Sequence, residues 1–201
     1  MRRLLLLASA VIFFDVAFFA AIAPLLPKYV DDLGLTKAEA GVLSAAYAAG
    51  TLVGSLPAGF LASRMGSRKT VIHGLLLLGC ASLVFGFAEQ ILVLDIARFV
   101  QGIAGALIWS GALSWLITAA PEQNRGSVIG SALGTAVAGA LLGPALGAAA
   151  ASIGTDVVFS SVLLITVALS IGASRLPEPA APTQQSLGEV VETLCSRPVL
   201  E

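Results

Sequence analysis

Three ionisable side chains sit inside long apolar runs: Asp15, Asp95 and Arg98. A charge in hydrocarbon is costly and by default marks a functional pathway. A carboxylate beside a guanidinium stays ionised, whereas a carboxyl moved into an apolar site takes a proton. Asp15 and Arg98 are therefore candidates for proton coupling, with Gln101 and Asp95 flanking Arg98 at three residues on either side. The same residues also fit a static arrangement in which Asp95 and Arg98, at i and i+3, satisfy each other and fix packing. Phe14, Phe18, Phe19, Tyr47 and Trp109 could line a site for an apolar ligand, or serve as packing and interfacial residues. His73 reads as interfacial rather than as a proton relay.

Other chemistries lack the residues to run them. Cys80 and Cys195 stand far apart, which is neither a disulfide framework nor a zinc site. A single His, no nucleophile/base pair and no metal-ligand cluster argue against an enzyme and imply no metal or cofactor. No G-x-x-x-x-G-K-[ST] loop is present, which argues against ATP-driven pumping. A net charge of −1 leaves no basic footprint for nucleic acid.

The elements that position these charges follow from composition. The chain has 201 residues, 57% hydrophobic and 11% charged, with a mean hydropathy of +0.95. Soluble domains carry about 25% charged residues. Such a chain cannot cover itself with a polar skin, and it is too apolar for disorder. The expected class is an all-α membrane protein in a lipid bilayer. A spanning helix needs roughly 20 apolar residues, and six runs qualify: Leu4–Leu26, Gly41–Ala62, Thr70–Ala88, Ile91–Ala119, Ser127–Ser152 and Asp156–Leu176. The first run is too long for a signal-peptide core and reads as a retained span.

Lys and Arg set the orientation. Arg2, Arg3, Arg64, Arg68, Lys69, Arg125, Arg175 and Arg197 fall on one side, against Lys28 and Lys37 on the other. That bias puts both termini in the cytoplasm, as an even number of spans requires, and fits a multi-pass protein of a bacterial inner (plasma) membrane. Counted from the span edges, Asp15 lies roughly 13 Å and Arg98 roughly 11 Å below the outer surface, nearly the same depth.

Residues 1–176 thus form a six-helix transmembrane bundle. Residues 177–201 form a cytoplasmic linker rich in Pro, Ala and Gln, with a short amphipathic helix expected over 187–194. In the fifth run Gly126, Gly130 and Gly134 make one smooth stripe, and Gly139, Gly143 and Gly147 make another. The five-residue step between them turns the stripe by about 140°, so the two halves should face different neighbours. Pro144 should kink the helix there, and the hinge candidates are Gly139, Gly143, Pro144 and Gly147.

Three motifs resemble those of the major facilitator superfamily. GFLASRMGSRK (Gly59–Lys69) is similar to the loop motif G-x-L-A-D-R-x-G-R-K. RFVQGIAGA (Arg98–Ala106) is similar to the fourth-helix motif R-x-x-Q-G-x-x-x-A. GALLGPALGA (Gly139–Ala148) is similar to G-x-x-x-G-P-x-x-G-G of the fifth helix. The resemblance covers roughly residues 4 to 179, ending in LPEP, and it implies the amino-terminal six-helix half of such a transporter, most like the drug/proton antiporters. It implies secondary active transport of a small, amphipathic substrate coupled to protons, with export as the direction. Gly59, Arg64, Gly66, Arg68 and Lys69 would then shape a cytoplasmic gate loop, and Phe18, Tyr47 and Trp109 would line the substrate path.

Ser63 stands at the loop motif's acidic position. In that family the carboxylate helps lock the two halves together; serine hydrogen-bonds but supplies no charge, so the resemblance implies a weaker lock here or another group that compensates. Ala148 replaces a glycine at little cost to close packing. The family's usual twelve spans exceed the six here. The expected explanations are a truncated chain ending before a seventh helix, a separate second half, or a homodimer. In a two-fold dimer the Ser63–Lys69 loop of one copy would meet its partner near Asn124–Gly126. A non-transporting membrane fragment or subunit is the competing reading.

Overall fold

The apolar runs fold as helices because a backbone in hydrocarbon must satisfy its N–H and C=O groups internally. A computed structural model describes residues 1–178. The helix expected over 187–194, the remainder of the linker, the approach to a seventh helix, Cys195 and Arg197 lie outside the described residues. The helices are α1 (Arg2–Ala20), α2 (Ile22–Leu33), α3 (Lys37–Met65), α4 (Ser67–Phe87), α5 (Ile91–Ala119), α6 (Arg125–Ile153) and α7 (Thr155–Ser174). A short 3-10 turn, Glu122–Asn124, precedes α6. No strand occurs among the described residues. Because α1 and α2 run on as one span, six helices are long and apolar enough to cross a membrane.

Span edges differ from the sequence reading in two places. The first span continues past Leu26 to Leu33 and stops at Gly34, whose φ of 64° gives the left-handed cap. The second span opens at Lys37 rather than Gly41. There the Thr36 hydroxyl accepts from the Glu39 amide (3.3 Å) and the Glu39 carboxylate accepts from the Thr36 amide (2.8 Å), a reciprocal capping box. Polar first turns escape a count of apolar residues. Elsewhere the chain reverses on single glycines, Gly66 (φ 90°) between α3 and α4 and Gly154 (φ 124°) between α6 and α7. L-residues rarely adopt these angles.

In the bundle, α5 packs against α3 and α4, α4 against α7, and α1 and α2 against α6. Two apolar clusters stack along the bundle axis. One gathers Ile12, Leu78, Ile108 and Trp115; the other gathers Phe18, Phe85, Leu94 and Phe159. On α1, α4 and α5, Asp15, Ser82, Arg98 and Gln101 fall between residues of these two clusters, so the buried polar groups form a layer about two helical turns deep within an apolar stack.

The ends are equally ordered. Arg2, Arg3 and Arg175 border one cavity. Arg68 donates to the Leu176 carbonyl (3.0 Å) and pairs with Glu178 (3.3 Å). The Trp115 indole donates to the Pro177 carbonyl at 3.3 Å. The start of α1, the α3–α4 turn and the ends of α5 and α7 therefore share one end of the bundle.

Candidate functional site

Asp15 occupies the polar layer on α1 and is 1% exposed. Its carboxylate accepts from two donors: the Tyr47 hydroxyl on α3 (3.2 Å to Oδ1) and the Trp109 indole on α5 (3.0 Å to Oδ2). Close helix approach makes this possible. A Cβ at Gly102 would strike the Tyr47 carbonyl, and one at Gly50 the Phe99 carbonyl. These two glycines let α3 and α5 cross backbone to backbone, and the Thr51 hydroxyl joins them by reaching the Gly102 carbonyl at 3.2 Å. A Cβ at Gly105 would strike the Tyr47 hydroxyl and sit 3.3 Å from Asp15 Oδ1. Gly105 thus leaves room for the Tyr47–Asp15 hydrogen bond.

Arg98, 2% exposed, points elsewhere. It donates to Gln101 Oε1 (3.1 Å) and to the Phe19 carbonyl (3.4 Å), and Gln101 passes the network to the Ser82 hydroxyl (3.1 Å). Its guanidinium lies 5.1 Å from the Tyr47 ring centroid and 5.7 Å from that of Phe19. Tyr47 therefore stands between the two charges, its hydroxyl on the carboxylate and its ring beside the cation.

Two expectations need correction. Asp15 and Arg98 are not level, since the neighbours of Asp15 on α5 are Gly105 and Trp109. The seven-residue offset from Arg98 to Gly105 is about 10 Å of helix. The expected depth of Asp15 follows from Leu4 and a core of about 30 Å, whereas the first span runs on to Leu33 and is longer than that core. Nor do Asp95 and Arg98 satisfy each other. Asp95 lies in the second turn of α5 with its buried Oδ1 unbonded, and the ion pair among the described residues is Arg68–Glu178.

Asp15 also borders a cavity of about 380 Å³, walled by Val16, Phe19, Tyr47, Thr51, Trp109, Ala136, Val137 and Ala140. Tyr47 and Trp109 are among its walls. Phe18 is not; it is buried in the apolar cluster while its neighbour Phe19 faces the cavity. Phe14 packs against the same cluster. The sequence reading passed over Ser82, Thr51 and the α6 wall, although Gln101 at i+3 from Arg98 pointed toward a polar face there.

The remaining site residues fall in two places. In the α3–α4 turn, the Arg64 guanidinium lies 4.4 Å from the Phe60 ring centroid. The Ser63 hydroxyl donates to the Phe60 carbonyl at 2.8 Å. His73 is exposed, its Nδ1 2.7 Å from the Lys69 carbonyl. Gly59 has no neighbour among the described residues where a Cβ would stand, whereas at Gly66 a Cβ would strike the Glu178 side chain. The acid that reaches this turn is thus Glu178, and it pairs with Arg68 rather than Arg64. On α6 the glycine stripes part company. Gly139, Gly143 and Gly147 lie against backbone of α1 and its junction with α2, at Phe13, Ala17 and Ala21. Gly126, Gly130 and Gly134 meet nothing within 4 Å among the described residues. Among the described residues only the second stripe is occupied, and α6 continues through Pro144 as one helix.

The family model for the Major Facilitator Superfamily matches residues 5–200. The chain belongs to this superfamily. Its six spans are the amino-terminal half of the facilitator fold. Among solved structures, the proton:xylose symporter XylE bound to 6-bromo-6-deoxy-D-glucose aligns with a TM-score of 0.73 at 17% identity, covering 88% of this chain and 44% of that one. Among curated relatives, the uncharacterized MFS-type transporter C18.02 of Schizosaccharomyces pombe is 31% identical over 125 residues, 59% of this chain and 28% of its own length. The quinolone resistance protein NorA of Staphylococcus aureus is 28% identical over 109 residues, 54% of this chain and 28% of its own. The facilitator chain thus spans less than a third of these two relatives' length. Membership makes it an integral, multi-pass membrane protein of a transporter family.

Proposed function

We propose that this bundle is half of a proton-coupled exporter of small amphipathic molecules, and that Asp15 is the group that takes and releases the proton. The observation that carries the proposal is the setting of Asp15: a carboxyl buried between two apolar clusters, held by two neutral donors, at the edge of an aromatic-walled cavity. A group so placed answers to small changes in its surroundings. Tyr47 links it to the rest of the polar layer, because moving Tyr47 alters the carboxylate's hydrogen bond and the Arg98–ring contact together. Arg98 and Gln101 act as positioning residues. Asp95, near the outer end of α5, is a peripheral participant.

The cavity itself suits an amphipathic guest, with apolar walls and one carboxylate. The resemblance to the drug/proton antiporters and the 28% identity to NorA support export; XylE, at 17% identity, bears on the fold alone. The Arg-rich end of the bundle faces the cytoplasm on the positive-inside rule. The α3–α4 turn, through Arg64, Gly66, Arg68 and Lys69, forms the cytoplasmic gate, and Gly139, Gly143, Pro144 and Gly147 form the hinge of α6 against α1.

The bundle works with a second six-helix half, in the same chain, a separate chain or a second copy. Support comes from α3 and α6, the least apolar of the six spans and yet the least buried. Lipid does not favour that combination; a protein partner or a wet cavity does. The test is proteoliposome transport under an imposed pH gradient, with the second half present. We expect gradient-driven flux of a lipophilic dye, with Asp15→Asn abolishing the gradient's effect while dye binding persists. Flux that still follows the gradient in Asp15→Asn would remove Asp15 from the coupling.

A further inference from the structure

A second cavity, of about 590 Å³, opens at the Arg-rich end and is lined by Arg2, Arg3, Leu4, Trp115, Arg175 and Glu178, among others. Two helices that are distant in sequence supply its cations, α1 through its first turn and α7 through the residue that caps it. Among the described lining residues the acid is Glu178, whose Oε2 pairs with Arg68 at 3.3 Å. The three arginines have no ion-pair partner among the described residues. Leu4, Ala119 and Leu176 add apolar wall, and Trp115 closes the base with its indole committed to the Pro177 carbonyl. The cavity lies where the spans end, at the level of lipid headgroups.

We infer that this cavity binds the phosphate headgroup of an anionic phospholipid, with Arg2, Arg3 and Arg175 holding the phosphate and Leu4 and Leu176 flanking the glycerol and upper acyl chain. Guanidinium groups bind phosphate by paired N–H donors, and basic pockets between spans at the cytoplasmic surface suit such headgroups. A lone topogenic arginine needs no cavity and no second helix; three exposed arginines from two helices lining one concave site fit a ligand. The inference rests on the bundle spanning a membrane and not on proton coupling, so Asp15→Asn should leave it unchanged.

Trp115 supplies the readout. The chain has two tryptophans, and Trp109→Phe leaves Trp115 as the sole tryptophan, excited selectively over tyrosine. The full chain is reconstituted in phosphatidylcholine vesicles containing increasing dibrominated phosphatidylglycerol or dibrominated phosphatidylcholine. Saturable quenching of Trp115 is expected, at a mole fraction on the order of a hundredfold lower for phosphatidylglycerol. Arg2→Gln, Arg3→Gln and Arg175→Gln together should erase that preference. Because Arg2 and Arg3 also steer insertion, Arg175→Gln alone is the second variant, and its share should be about fivefold. Arg125→Gln, an exposed charge outside the cavity, should leave the preference intact. Equal quenching by both lipids, a preference that survives the triple change, or an equal loss in Arg125→Gln would overturn the site. Relief of quenching by millimolar inorganic phosphate would reassign the cavity to a soluble phosphate and overturn the lipid reading.

Discussion

At the residue scale, the buried carboxylate of Asp15 depends on Tyr47. The hydroxyl donates to Oδ1 at 3.2 Å while the same ring lies 5.1 Å from the Arg98 guanidinium. Tyr47→Phe keeps the ring and removes the donor, and leaving a buried acceptor short of one partner costs about 1–3 kcal/mol. In an Asp15→Asn background the charge is gone and the loss should shrink. A double-mutant cycle read by thermal unfolding in detergent should therefore give a coupling on the order of 1 kcal/mol; additive effects would mean the hydroxyl does not support the carboxylate. Asp15, Tyr47 and Trp109 were all legible in the sequence, because a charge or polar ring in an apolar run stands out. The choice between Phe18 and Phe19 was not. Neighbouring helix positions differ by about 100°, and in a span apolar on every side hydrophobicity does not mark the inward face.

At the element scale, α6 carries two glycine stripes with the same spacing and different fates. A Cβ on Gly147 would strike the Ala21 carbonyl, with Pro24 Cγ 2.5 Å away, so Gly147→Ala must push the first span and α6 apart. Overpacking of this kind costs about 1–3 kcal/mol. Gly130 meets nothing within 4 Å among the described residues, and Gly130→Ala should gain about 0.5 kcal/mol from the lost flexibility of glycine. Unfolding of the two variants in detergent should move in opposite directions; a matching loss at Gly130 would mean that stripe is also occupied. Spacing made both stripes readable, but spacing does not say which helix lies opposite. Element edges were lost for a related reason. The Thr36–Glu39 capping box and the continuation to Leu33 are polar or proline-bearing turns, which a search for apolar runs cuts away.

At the scale of the whole molecule, the question is what covers α3 and α6. Leu56 on α3 is 84% exposed and Leu141 on α6 is 75% exposed, much like Leu164 on α7 at 72%. Exposure alone does not separate them; composition does. Beside the open leucines, α6 exposes Gly126, Gly130, Ser127 and Ser131, and α3 exposes Ser44 and Ser55. Small and hydroxyl residues pack helices or meet water, while α7 offers lipid Val157, Leu164, Val167 and Ile171. The six spans followed from composition, yet the sidedness of each helix depends on partners outside a single run and needed the packed bundle. A thiol reacts with a maleimide as thiolate, which forms in water and not in hydrocarbon. On a Cys80→Ser, Cys195→Ser background, Ser131→Cys should react with a membrane-impermeant maleimide when this bundle stands alone in vesicles. Supplying a second six-helix half should slow that labelling by tenfold or more, on the order of the protection a packed interface gives. Leu164→Cys should stay unreactive in both conditions. Ser131→Cys as inert as Leu164→Cys in the lone bundle would place α6 against lipid and remove the reason for a second half on that face.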